Sequence, residues 1–149
     1  FSAIHCAQAD LKPLSLDRET GQFRDSYGLA YVLHGANVVV KAPPYIPDFR
    51  GPFDPQMSLN EEDIERMKQW GFNVVRLGII WEAVETAPGV YNHTYLNEIE
   101  ELVKRLSEKG IYSIIDTHQD LFSRMLCGEG VPLFYNPSWD ELDHECPTF

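Results

Sequence analysis

Apolar, β-prone runs alternate with amphipathic helical stretches through most of this chain, and that order leaves few folds open. Residues 31–40, 72–80 and 111–115 are rich in Val, Ile and aromatic side chains, as strands are. The first helical stretch opens on Ser58-Leu59-Asn60-Glu61, which reads as a capping box. It carries Ile64, Met67 and Trp70 on one face and stops at Gly71. The second, capped by Asn92 or Thr94, presents Leu96, Ile99, Leu102, Val103 and Leu106 and closes at Gly110. Strand, helix, strand, helix, strand predicts βαβ units and a parallel sheet. The run 31–40 is expected to be buried on both faces, as parallel strands are.

The chain has 149 residues, enough for one domain but short of the roughly 250 that a complete (β/α)8 barrel takes. The expected fold is α/β: about the first three βα units, the N-terminal part, of a TIM barrel. A small β-hairpin precedes it, with Arg18-Glu19-Thr20-Gly21 between Leu14-Ser15-Leu16 and Gln22-Phe23, and is expected to plug the bottom of the larger sheet. Residues 1–30 form the extension and hairpin, and residues 31–149 the barrel portion. Residues 81–91 read as a loop turning at Pro88-Gly89, and a short helix is expected near 139–144.

The strands end in chemistry. Residues 110–120 run from a helix-stopping glycine through an apolar strand into Asp116-Thr117-His118-Gln119-Asp120, and α/β barrels keep their active sites at such carboxyl ends. Lys41 follows the first strand. Arg76 stands alone in an apolar run and needs an anionic partner, either a structural carboxylate or a catalytic one. Asp116, His118 and Asp120 have the donor types of a metal site, but no fourth ligand accompanies them and none is expected. A structural alternative for His118 is a loop-capping histidine.

Several functions are disfavoured. A net charge of −11 opposes nucleic-acid binding. No Gly-x-Gly-x-x-Gly, Walker loop, His-Glu-x-x-His or Gly-x-Ser-x-Gly occurs, so no cofactor is expected. Cys6, Cys127 and Cys146 are not spaced as a zinc site. Asn92-His93-Thr94 is a glycosylation sequon, and the chain starts on Phe1, which implies a segment upstream; together they point to a secreted or lysosomal protein. There Cys127 and Cys146 can pair, leaving Cys6 free or joined to another chain. Five prolines between residues 41 and 55 forbid regular structure. Tyr45, Ile46, Phe49 and Phe53 make that loop apolar, so it either folds onto its own core or offers Tyr45, Phe49 and Phe53 to a lipid, membrane or micelle surface.

Four motifs occur in order: Gly35-Ala36-Asn37-Val38-Val39-Val40-Lys41; Gly71-Phe72-Asn73-Val74-Val75-Arg76-Leu77-Gly78; Trp81-Glu82 with Pro88-Gly89-Val90-Tyr91; and Asp116-Thr117-His118-Gln119-Asp120. Together they resemble glycoside hydrolase family five, and within it the endoglycoceramidase branch, which cuts the bond joining an oligosaccharide to ceramide. The resemblance implies a retaining glycosidase with a nucleophile and an acid/base carboxylate. Both glutamates are expected outside this chain, which has no Asn-Glu-Pro, and Glu82, Glu85 and Glu129 sit in the wrong loops to replace them. The resemblance gives Arg76 the role of holding the nucleophile ionised and places His118 where the bond breaks. It assigns Lys41 and Asp120 to sugar hydroxyls. A second polypeptide would complete the barrel around a glycosphingolipid substrate. The alternatives are a family-five β-glucosidase acting on simple or steryl glucosides, and a non-catalytic barrel relic that binds glycolipid.

Overall fold

The computed structural model describes residues 11–135. Cys6, Cys146 and the helix expected near 139–144 lie outside the described residues. The chain opens with a small antiparallel sheet of β1 (Ser15–Asp17), β2 (Gln22–Arg24) and β3 (Ala30–Tyr31) in that order. The expected hairpin is present, and a third strand joins it. Arg24 Nη2 lies 2.6 Å from Asp17 Oδ2, and this guanidinium holds the Asp17 carboxyl below the ordinary carboxylate range.

Next come β4 (Gly35–Val38), α1 (Glu61–Gln69), β5 (Val74–Ile80), α2 (Trp81–Val84), β6 (Glu85–Ala87), β7 (Val90–Tyr91), α3 (His93–Glu108) and β8 (Tyr112–His118). The main sheet has the order β4-β5-β8, and both pairings are parallel. Its register sets Asn37 beside Arg76 and Arg76 beside Ile114, then Gly78 beside Asp116 and Ile80 beside His118. Helices α1 and α3 supply the crossovers, so the expected βαβ order stands. Val75, Leu77 and Ile111 meet Ile64, Leu102 and Leu106 in one core, all six at most 1% exposed. Burial of this kind, about 1.5–3 kcal/mol for each large aliphatic side chain, holds sheet and helices together.

Local chemistry sets the helix ends. Asn60 is the N-cap of α1: its side chain accepts from Glu62 N and Asp63 N while Asp63 bonds back to Asn60 N. The capping box is therefore Asn60 with Asp63, not one led by Ser58, whose hydroxyl supports Asp63 from 2.7 Å. Asn92 caps α3 by accepting from Tyr95 N, which decides between it and Thr94. Gly71 and Gly110 follow the two helices with φ of 81° and 80°, a geometry costly to residues with a Cβ. Burial pushes the Tyr95 phenol up to about 12, and its hydroxyl donates to Tyr45 O at 3.1 Å.

Four expectations are corrected. Tyr31 belongs to the small sheet, which leaves β4 four residues rather than ten. Nor is that strand buried on both faces: its residues alternate between exposed and half-buried, and only the central strand β5 is enclosed. Edge position is the reason, since among the described residues β4 and β8 each pair on one side only; Ile114 and Ile115 of β8 are 46% and 52% exposed. Trp70 is 67% exposed, because it is the C-cap of α1, where the helical period no longer directs it inward. Residues 81–91 hold α2 and the β6-β7 hairpin rather than a plain loop, although the turn is at Pro88-Gly89 as expected.

The proline-rich segment mostly folds inward. Ile46 and Phe49 join the core, and Phe49 is covered by the guanidiniums of Arg50 and Arg105, 4.2 and 5.1 Å from its ring centre. Phe49 therefore offers no surface to a lipid. Tyr45 is half-buried beside Arg124, and of the three residues expected at a lipid surface only Phe53 is exposed.

Candidate active site

The parallel sheet brings Lys41, Arg76, Asp116, His118 and Asp120 to one rim, as the sequence motifs require. Arg76 projects from β5 on the same face as Asp116 of β8, and its Nη2 lies 2.7 Å from Asp116 Oδ2. The same carboxylate oxygen is 2.9 Å from His118 Nδ1. The Asp116 carboxylate orients the imidazole, and its Nε2 lies toward Asp120 and Glu129. Arg76 thus has the anionic partner its setting demands, and within this chain that partner is Asp116. With its side chain 42% exposed, the guanidinium is only partly covered by this contact.

A second cluster sits beside the imidazole. Lys41 Nζ hydrogen-bonds Asp120 Oδ2 and lies 3.3 Å from Glu129 Oε1. His118 Nε2 is 3.5 Å from Asp120 Oδ2 and 3.6 Å from Glu129 Oε1. The hydrogen bond from Lys41 holds the Asp120 carboxyl below its ordinary value. In return, that bond is the largest cause raising the Lys41 ammonium, with Glu129 adding to it. Both groups stay charged through the neutral range. A cavity of about 590 Å³ opens here, lined by Lys41, Asp120, Arg124 and Glu129 among others.

Glu129 escaped the sequence reading as a site residue. Its backbone pairs with that of Asp120 in an isolated antiparallel bridge, with N–O distances of 3.1 and 3.0 Å. A Cβ at Gly128 would stand 1.7 Å from Asp120 O, and one at Gly130 2.5 Å from Gln119 Cβ. Only glycines on either side let the backbone press this close. The available signal was Gly128-Glu129-Gly130, a charged residue flanked by two small ones, but the long-range pairing that gives it meaning is not local.

The other two glutamates are structural. Glu85 is 3% exposed and accepts from Trp81 Nε1 at 2.8 Å, Gly89 N at 2.8 Å and the Tyr135 hydroxyl at 2.7 Å. The Gly89 amide, followed by the two side chains, keeps its carboxyl below the usual range and so ties the hairpin to α2. Glu82 accepts from Arg124 Nε at 2.9 Å, and Arg124 also donates to Lys41 O. Of the three residues with the donor types of a metal site, Asp116 turns to Arg76. His118 and Asp120 fall in with Glu129, their ligand atoms within 4.8 Å of one another, and Lys41 gives these carboxylates a cation from the protein itself.

An apolar groove of about 390 Å³ runs beside His118, lined by Ile79, Trp81, Val84, Phe122 and Val131.

Residues 42–144 match the model of the cellulase family, glycosyl hydrolase family 5. The chain belongs to glycosyl hydrolase family 5. It is 40% identical over 119 residues to an endoglycoceramidase of Cyanea nozakii, an alignment covering 80% of this chain and 23% of that protein. Among solved structures, it resembles the lactosyl-enzyme intermediate of endo-glycoceramidase II from Rhodococcus sp. That match has a TM-score of 0.59 and 31% identity, covering 74% of this chain and 26% of the other. It also resembles sterylglucosidase 1 of Cryptococcus neoformans in complex with tris, with a TM-score of 0.63 and 29% identity, covering 75% and 18% respectively. The chain thus spans about a quarter or less of the relatives it matches. Family 5 membership explains the sheet: its three parallel strands and two crossover helices are part of an α/β barrel.

Proposed function

We propose that this chain is the N-terminal part of a retaining glycoside hydrolase that cleaves the bond between glycan and ceramide in glycosphingolipids. The observation that carries the reading is the shared rim. Lys41, Arg76, Asp116, His118 and Asp120 come from three adjacent parallel strands or the turns after them and meet in two linked charge clusters. Asp120 and Lys41 supply an acceptor and a donor for sugar hydroxyls, and His118 Nε2 faces the same space. The uncovered part of Arg76 suits a second carboxylate, the nucleophile, which a fixed cation would keep ionised. That nucleophile and the acid/base carboxylate lie outside this chain, on later strands of the complete barrel. The relative described as a lactosyl-enzyme intermediate supports a covalent, retaining mechanism.

The groove at Trp81, Phe122 and Val131 gives an apolar aglycone a place beside His118. The exposed edge of β8, with Ile114 and Ile115, is where the rest of the barrel would pair, either as the same polypeptide or as a second one. Secretion or lysosomal residence and glycosylation at Asn92 belong to the same reading. A second reading, hydrolysis of steryl β-glucosides, is favoured by the sterylglucosidase likeness.

The test is turnover of a fluorescent glycosphingolipid by the complete enzyme, beside sterol-linked and aryl-linked glucosides. Preference for the ceramide-linked substrate, lost in His118→Ala, is expected. Preference for the sterol-linked substrate selects the second reading. No turnover of any of them, with glycolipid still bound, would mean a non-catalytic binding barrel. Intact mass under reducing and non-reducing conditions shows whether a second polypeptide accompanies this one.

A further inference from the structure

We infer that Glu129 is a second sugar-binding carboxylate, accepting a hydroxyl of the same ring that Lys41 and Asp120 engage; this rests on the glycosidase reading above. Glu129 is 4% exposed, yet its Oε1 has no hydrogen-bond donor, and His118 Nε2, 3.6 Å away, has no hydrogen-bond partner either. The lysine ammonium, 3.3 Å from Oε1, offsets the charge while its closer hydrogen bond goes to Asp120. Asp116 takes up His118 Nδ1 and leaves Nε2 turned toward the same space. Two buried polar atoms without partners, side by side, call for a ligand carrying hydroxyls, which both donate and accept, because a buried polar atom left unpaired costs about 1–3 kcal/mol. A vicinal diol supplies two O–H groups at that spacing, with Lys41 free to donate back to the ring oxygens.

The local backbone fits a binding role. Glu129 is fixed by its bridge to Asp120 and by glycines on both sides, so its side chain enters the cavity from a rigid turn opposite Asp120. Two carboxylates facing each other across one lysine can grip neighbouring hydroxyls of a single ring. A counter-ion for Lys41 alone would need only one of them.

The experiment uses the complete enzyme with a fluorescent β-lactosyl ceramide and its monodeoxy analogues in the glucose unit. Hydrogen bonds to a charged acceptor are worth about 1.5–3 kcal/mol, so Glu129→Gln should lower kcat/KM about 10- to 100-fold. One deoxy analogue that the parent enzyme cleaves comparably worse should be cleaved by Glu129→Gln as well as the full sugar is. Glu129→Asp keeps the charge but withdraws the oxygens, and it should lose the same discrimination; it carries the test if Glu129→Gln does not fold. Unchanged discrimination against every deoxy analogue overturns the inference, whether kcat/KM holds or falls uniformly along with the melting temperature. Lactose binding by calorimetry separates this inference from the glycosidase reading. If the parent binds lactose without cleaving any substrate and Glu129→Gln does not bind it, the inference stands while the hydrolase reading fails. If the parent neither binds nor cleaves, both fall.

Discussion

Gly78 provides a direct test of how tightly the platform under the site is packed. It lies mid-strand in β5 across from Asp116, and a Cβ there would stand 2.8 and 2.9 Å from the two Val39 methyls and 3.2 Å from Val39 Cβ. Carbon atoms are comfortable at about 3.5–4.0 Å, so Gly78→Ala forces the valine or the strand to move. Overpacking of this kind costs about 1–3 kcal/mol. Removing a glycine's freedom from the unfolded chain returns about 0.4–1 kcal/mol, because Gly78 does not sit at positive φ. The net expectation is a loss of about 1–2 kcal/mol. Val39→Ala, trimming a half-buried side chain, should cost about 1 kcal/mol alone. It also deletes the methyls that clash. The double variant should then be more stable than the sum of the singles by about 1 kcal/mol or more. Urea unfolding of the complete protein, followed by tryptophan fluorescence, measures all four corners of the cycle. A Gly78→Ala protein as stable as the parent, or a double variant equal to the sum, would refute the packing described for β4 and β5.

Three further outcomes are expected. Asn60→Ala leaves the Glu62 and Asp63 amides without their cap and should lower stability by about 1 kcal/mol in thermal melting. Leu102→Ala, at a position 0% exposed, should cost about 2–5 kcal/mol by the same measurement and leave an apolar cavity between α3 and the sheet. The third concerns pH. Lys41 lowers the folded-state pKa of Asp120 below the ordinary value of an unfolded chain's aspartate, so this group's stabilisation is present above that ordinary value and lost as pH falls through the folded one. Asp120→Asn should therefore flatten the acid limb of a stability-against-pH curve; an unaltered limb would show that the pair contributes nothing.

Much of this arrangement was legible because it depends on local signals. Gly71 and Gly110 mark helix ends through their backbone freedom, and the period of Ile99, Leu102 and Leu106 marks a buried face. Arg76 announced an anionic partner by being charged in an apolar strand. What stayed hidden depends on neighbours distant in sequence. Tyr31 has the composition of a strand whichever sheet it joins, and Trp70 is apolar on either side of a helix end. Ile114 and Ile115 look like core, and only the absence of a neighbour beyond β8 among the described residues leaves them exposed. Phe49 could not be told from a docking residue until Arg50 and Arg105 were seen to cover it. Glu129 acquires its place only when the turn after β8 folds back across Asp120.

The order of the main sheet has a consequence for how the molecule is made. β4, β5 and β8 stand side by side in the order in which a ribosome releases them, the first two joined through α1 and the last two through α2, the β6-β7 hairpin and α3. A nascent chain can therefore lay down each strand against one already in place, without holding an edge open for a distant segment still to be translated. Because the turn carrying Glu129 emerges after all three, it folds back across Asp120 onto strands already laid down.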